Sequence, residues 1–120
     1  SQWKETMDIN LTTTFNLGHA ITTHVKKNCQ LIYFSTAAAH IGLPNHEAIS
    51  AAKAGVEGLA KSLAASYAKA NIRCNVIAPG LVETPLSEMI FKSEQAKLKY
   101  ALDGLSNREK IGYLLYNKKV

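Results

Sequence analysis

The sequence predicts an α/β fold built around a pair of parallel strands. Two long segments carry apolar residues at helical steps of three and four, and each is followed by a short, mostly apolar run of strand length. The second helical segment is long enough to return the chain across a sheet, so the two runs can lie parallel.

The first helix is expected over residues 3–27. Trp3, Met7, Leu11, Phe15, Gly18, Ile21 or Thr22, and Val25 form one buried stripe. Its threonines (Thr12, Thr13, Thr14, Thr22, Thr23) lower intrinsic helix propensity, so packing must hold it. Lys26 and Lys27 suit its C-terminal end and Asn28 can stop it. Residues 30–35 then read as a strand and residues 36–46, with Gly42 and Pro44, as a loop. The second helix is expected over residues 47–70, with Ile49, Ala52, Val56, Leu59, Leu63 and Tyr67 on its apolar face. Gly55 and Gly58 each cost about 1 kcal/mol inside a helix, so close packing against another backbone is expected there. Ile72 to Ala78 is a second strand, ended by Pro79-Gly80. After Pro85 the chain reads as amphipathic helix through Ile90, Phe91, Leu98, Leu102, Ile111, Leu114 and Leu115, with no further strand. Two parallel strands are too few for a stable open sheet, so the chain has too little core as an isolated monomer.

Composition narrows the function classes. With 47% apolar and 19% charged residues in 120, the balance is that of one globular domain. No apolar run reaches the ~18 residues of a membrane span, and no secretory signal opens the chain. Cys29 and Cys74 form neither a CxxC pair nor a disulfide framework, which points to reduced, buried thiols in a cytoplasmic protein. The net charge of +5 is spread: seven basic and five acidic side chains over residues 1–86, seven and four over 87–120. No basic stripe with interleaved aromatics appears, so nucleic acid is not an expected partner.

Four motifs carry a family resemblance. Asp8-Ile9-Asn10-Leu11-Thr12, Tyr33-Phe34-Ser35-Thr36, Ile49-Ser50-Ala51-Ala52-Lys53 and the segment from Asn71 through Ile72, Arg73, Cys74, Asn75, Val76, Ile77 and Ala78 to Pro79-Gly80 occur in that order. They resemble the asparagine, Ser-Ser, Tyr-x-x-x-Lys and strand-Pro-Gly motifs of the short-chain dehydrogenase/reductase family. The resemblance implies a partial Rossmann-type, doubly wound parallel sheet, present as the C-terminal half with about two strands and long helices. Residues 1–86 would be the family core segment of a single partial domain, and residues 87–120 a lid and helical tail, the lid itself over 86–105. It implies NAD(P)-linked interconversion of a carbonyl and a secondary alcohol. Asn10 would order a proton relay, Thr36 would polarise the substrate oxygen, and Lys53 would hold the cofactor ribose. Pro79, Gly80, Val82 and Thr84 would fit the loop that meets the nicotinamide. The two long helices would form a homo-oligomer interface, whose apolar faces and small residues allow close approach.

The chemistry gives those positions their meaning. Reduction of a carbonyl needs an acid for the forming alkoxide, and a hydroxyl donor where negative charge develops. The family uses a tyrosine one helical turn before the lysine, whose ammonium favours the phenolate. Here that position is Ile49, which has no proton to give, so proton donation is expected to be impaired or atypical. The stretch resembles a tyrosine-free variant of the motif found in some members. His46, three positions earlier, has a suitable titration range but reads first as a solvated helix-entrance residue. None of the seven glycines has the G-x-x-x-G-x-G spacing of the pyrophosphate turn, so these residues alone are expected not to bind the dinucleotide.

Plainer readings stand beside these. Asn10 can bond a carbonyl within its own helix, Thr36 can simply open a loop, and Lys53 can be a solvated helix lysine. Ile49 reads as core, and Cys74 as an inward, inert thiol. The rival function is a non-catalytic dimerisation or scaffold module derived from the same fold.

Overall fold

The first helix is continuous in path but not in winding. The computed structural model describes residues 1–80, Pro85 and the backbone of 113–114. Within it, α1 (Gln2–Met7) passes into a π-helical turn (Asp8–Thr12) and then α2 (Thr13–His24). A π turn holds an extra residue, so apolar positions spaced three and four apart do not keep one face across it. The expected stripe therefore splits. Gly18 and Thr22 are buried and Leu11 and Ile21 pack partly on the core, but Trp3 (53% exposed), Phe15 (53%) and Val25 (49%) face outward. The helix stops at His24, with Lys26 and Asn28 in the left-handed region beyond it.

The strand β1 (Cys29–Phe34) begins one residue earlier than expected. The expected loop contains a short helix, α3 (Ala38–Ile41), which Gly42 ends at φ +69. The helix α4 (Glu47–Ser66) is shorter than expected: at Tyr67 the chain tightens into a 3₁₀ turn (Ala68–Ala70), and Asn71 turns left-handed at φ 53. The strand β2 (Ile72–Ala78) has the expected bounds.

The strands β1 and β2 pair in parallel, from Cys29 opposite Ile72 to Phe34 opposite Ile77. The sequence offered no further strand, yet β3 (Tyr113–Leu114) pairs antiparallel with β2 through Ala78 and Ile77. Two residues are too short to leave a periodic signal, and their place in the apolar run 111–115 masked them. The described sheet thus has three strands, in the order β1-β2-β3.

One face of the sheet makes the core. Leu31 and Tyr33 of β1 and Ile72, Cys74 and Val76 of β2 pack on Val56, Ala60 and Ala64 of α4. The alanines of α4 let the helix lie close to the sheet, and Val56 and Ile72 each contribute about 1.5–3 kcal/mol by leaving water. The opposite face is open at Ile32 (51% exposed) and Phe34 (58%). At the strand starts, Asn28 N–H donates to the Ala70 carbonyl (3.0 Å) and Asn71 Nδ2 donates to Asn28 Oδ1 (3.0 Å). This clasp sets the parallel register.

Neither helix glycine packs on another backbone as expected: among the described residues, Gly55 faces the Leu11 side chain and Gly58 faces open space. A Cβ at Gly55 would stand 2.9 Å from Leu11 Cδ2, whereas nothing lies within 4 Å of one at Gly58. A closer approach occurs at Gly18. The Tyr33 ring reaches under α2, its hydroxyl is buried with no hydrogen-bond partner among the described residues, and a Cβ at Gly18 would lie 2.6 Å from that oxygen.

Two stability predictions follow from Tyr33. Gly18→Ala should cost about 1–3 kcal/mol in urea denaturation through overpacking, and adding Tyr33→Phe should recover a large part of it. Burial, with Cys74 adding to it, pushes the Tyr33 phenol from 10.0 up to about 12, and burial with Cys29 beside it pushes the Cys74 thiol from 9.0 to about 11. The folded state thus keeps protons that the unfolded chain has released, so stability falls as pH rises. The urea midpoint should be steady below about pH 8 and decline toward 12, with a shallower decline in Tyr33→Phe.

Candidate active site

Parallel strands end together, and in α/β sheets the ends of their carboxyl side are where ligands bind. Here the backbone leaving β1 stays bound to the backbone leaving β2. Ser35 N–H donates to the Ile77 carbonyl (2.8 Å) and Ala37 N–H to the Pro79 carbonyl (3.0 Å). Thr36, Pro79 and Gly80 therefore lie beside one another at one edge.

The helix α4 brings Lys53 to that edge. Its Nζ donates to the Phe34 carbonyl (3.0 Å), and its own carbonyl accepts the Ser35 hydroxyl (3.2 Å). Burial lowers the Lys53 pKa from its ordinary value. One hydrogen bond uses one of three N–H donors, so two remain for a ligand. Thr36 Oγ1 accepts from Ala38 N–H (3.3 Å) at the start of α3, which leaves the hydroxyl proton free to donate elsewhere.

The other sequence candidates lie farther from this exchange of hydrogen bonds. Asn10 sits in the π turn, and its Nδ2 donates to the Thr6 carbonyl (3.0 Å), the local bond that the plain reading expected. The π turn itself packs on α4, where Leu11 meets Gly55, two positions from Lys53. Ile49 is half-buried in the first turns of α4, one turn before Lys53. His46 stands at the N-terminal cap of α4 without capping it by its side chain, and its Nδ1 lies 2.8 Å from the Pro44 carbonyl. Val82, Thr84 and the expected lid over 86–105 lie outside the described residues.

The structure adds a polar cluster that the sequence reading missed. The carboxylate of Glu57 is buried, its Oε1 accepts the Ser35 hydroxyl, and the same oxygen lies 2.8 Å from His40 Nε2. The His40 side chain remains 43% exposed, against 11% for Glu57. One signal was available: Glu57 directly follows Val56 of the buried stripe and stands one turn after Lys53. His40 carried none, because its partner is 17 positions away. Among the described residues, no group of three or more His, Cys, Asp or Glu side chains could hold a metal, and no helix is long and apolar enough to cross a membrane.

Comparison with known proteins places this geometry. Residues 1–111 match the family model described as enoyl-(acyl carrier protein) reductase. The chain is 36% identical over 114 residues to dehydrogenase/reductase SDR family member 6 of Rattus norvegicus, covering 92% of this chain and 46% of that one. It is 32% identical over 90 residues to the 3-oxoacyl-(acyl-carrier-protein) reductase FabG of Thermotoga maritima, covering 73% and 37%. A gluconate 5-dehydrogenase from Burkholderia cenocepacia J2315, solved in complex with NADP and tartrate, superposes with a TM-score of 0.74 at 26% identity, covering 80% of this chain and 38% of that one. The chain spans less than half the length of these curated relatives. Its α/β, Rossmann-type class is the one expected from the sequence. By family match, sequence similarity and backbone path, the chain belongs to the short-chain dehydrogenase/reductase family.

Proposed function

We propose that this chain contributes the carboxyl-edge half of an NAD(P)-dependent oxidoreductase site that interconverts a carbonyl and a secondary alcohol. The observation that carries the reading is the convergence of Thr36, Lys53 and Pro79-Gly80 at one edge, held by the Lys53–Phe34 and Ala37–Pro79 hydrogen bonds. Relatives named as reductases and dehydrogenases support the reaction class, and the NADP complex supports the cofactor class.

The residues fit one end of such a cofactor. Lys53 has two N–H donors available for ribose hydroxyls, and Pro79 and Gly80 border the same edge. They do not fit the pyrophosphate, because no glycine spacing in the 120 residues makes its turn. Residues outside this sequence would have to supply that cradle. Residues 1–86 would then be the core segment, with Val82 and Thr84 continuing the nicotinamide loop and residues 87–120 forming lid and tail.

When bound, the nicotinamide supplies or accepts the hydride. Thr36 donates its hydroxyl proton in a hydrogen bond to the substrate oxygen, where negative charge grows during reduction. Lys53 holds the ribose and places positive charge near that oxygen. Ile49 takes no part in proton transfer and presents only hydrocarbon. The proton that completes the alcohol therefore comes through water, which Asn10 helps to order from the π turn. The reaction runs with atypical proton donation.

Association is part of the reading. The first helix carries Trp3, Ile9, Phe15 and Leu17 about half exposed, with Val25 just past its end, and α4 is open at Gly58 among the described residues. Residues 3–27 and 47–70 would pair between copies and supply burial that one chain lacks. The same surface favours the second reading, a scaffold module that kept the helices without the chemistry. Of the two cysteines expected to be buried thiols, Cys74 is buried and Cys29 is only half-buried.

Two measurements test these readings. Ile49→Tyr should raise kcat for carbonyl reduction about a hundredfold, with little change in KM, because it restores a general acid. Measured in a polypeptide that includes the pyrophosphate cradle, an unchanged kcat refutes the proton-donation account, and absence of any carbonyl reduction in both proteins favours the scaffold. Sedimentation velocity at micromolar concentration should show a dimer or larger species, and a well-folded monomer would refute association.

A further inference from the structure

On α4, Lys53 and Glu57 stand four positions apart, the separation at which opposite charges on a helix ordinarily meet. Here they do not. Lys53 Nζ turns to the Phe34 carbonyl (3.0 Å). Glu57 Oε1 instead accepts the Ser35 hydroxyl and lies 2.8 Å from His40 Nε2.

We propose that His40 and Ser35 tether the Glu57 carboxylate away from Lys53, and that His40 is thereby a positioning residue for the Lys53 ammonium. The inference rests on the reading of Lys53 as the group that faces the cofactor ribose.

Each tether comes from a different element. Ser35 follows β1 and is fixed by its N–H to the Ile77 carbonyl (2.8 Å). Its single hydroxyl proton is contested, because the Lys53 carbonyl lies 3.2 Å from the same oxygen that bonds Glu57. A contested proton is a weak tether, and His40 supplies the second. His40 belongs to α3, which is seated on α4 by the Ser50 hydroxyl donating to the Ala38 carbonyl (3.4 Å). Nε2 donates in the Nε2–H tautomer and in the imidazolium alike, so either form holds the carboxylate. With His40 gone, Lys53 stands one helical turn from the buried carboxylate, at the separation where opposite charges on a helix can meet. Pairing there would occupy the donors that a ribose needs and cancel the positive charge at the edge. Burial makes Lys53 the more responsive, since an ammonium already short of water gains more from a carboxylate.

The test reads Lys53 directly, in the intact native protein and without dinucleotide. Acylation of Lys53 by acetic anhydride at mildly alkaline pH, followed by peptide mass mapping, reports how much free amine it presents. His40→Ala should slow this acylation about threefold, because a paired ammonium holds its proton more tightly. His40→Ala with Glu57→Gln should return the rate to that of the parent. Packing lost at position 40 would not be repaired by removing a charge at 57. Ser35→Ala should act in the same direction with the same rescue, and serves where His40→Ala does not fold. Unchanged acylation in the single variants, or slowing that Glu57→Gln leaves in place, overturns the tether. Protection of Lys53 by NADH or NADPH in the parent tests the cofactor reading separately: without protection that reading fails, while the acylation series still decides the tether.

Discussion

A reciprocal exchange between one lysine and one strand end holds this structure in working order. Lys53 donates an ammonium N–H to the Phe34 carbonyl, and its own carbonyl shares the Ser35 hydroxyl with Glu57. Two side chain-to-backbone hydrogen bonds running in opposite directions fix both the height and the rotation of α4 against β1. Thr36 follows directly in the chain, and Pro79 is tied to Ala37, so the whole edge inherits its placement from that exchange. The apolar packing of Val56, Ala60 and Ala64 on the sheet supplies the adhesion, but it is tolerant of small rotations. The hydrogen bonds are directional and are not.

The departure at Ile49 acquires a physical context from this arrangement. The side chain lies one turn before Lys53 and is half-buried, so the position that the motif resemblance aligns with a tyrosine presents hydrocarbon. Thr36 uses a lone pair, not its hydroxyl proton, to start α3. On the proposed reading, polarising a carbonyl and supplying its proton would be separate tasks, with Thr36 suited to the first.

Much of the fold was legible in the sequence. The bounds of β2 could be read directly, because an alternating apolar run is closed by Pro79-Gly80. The four motifs gave Thr36, Lys53 and Pro79-Gly80, which the fold brings to one edge. What escaped was non-local or brief. The π turn breaks the helical period from within, so the apolar stripe was assigned to one face when Trp3 and Phe15 lie outside. β3 contains two residues and owes its existence to a partner far away in sequence. Glu57 and His40 were missed because a buried carboxylate makes sense only beside its donors, and those come from β1 and α3.

The open face of the sheet has a practical corollary. Ile32 and Phe34 project from β1 beside the polar pair of Gln30 and Arg73, whose side chains bond across the strands (3.0 Å). In the described residues β1 is also the outermost strand, with backbone groups on its far side left unmatched. Greasy side chains next to an unzipped strand margin make a surface that adheres to its own kind. Handling this polypeptide in isolation is therefore a contest between folding and clumping, and the conditions that favour folding are those that keep that margin covered.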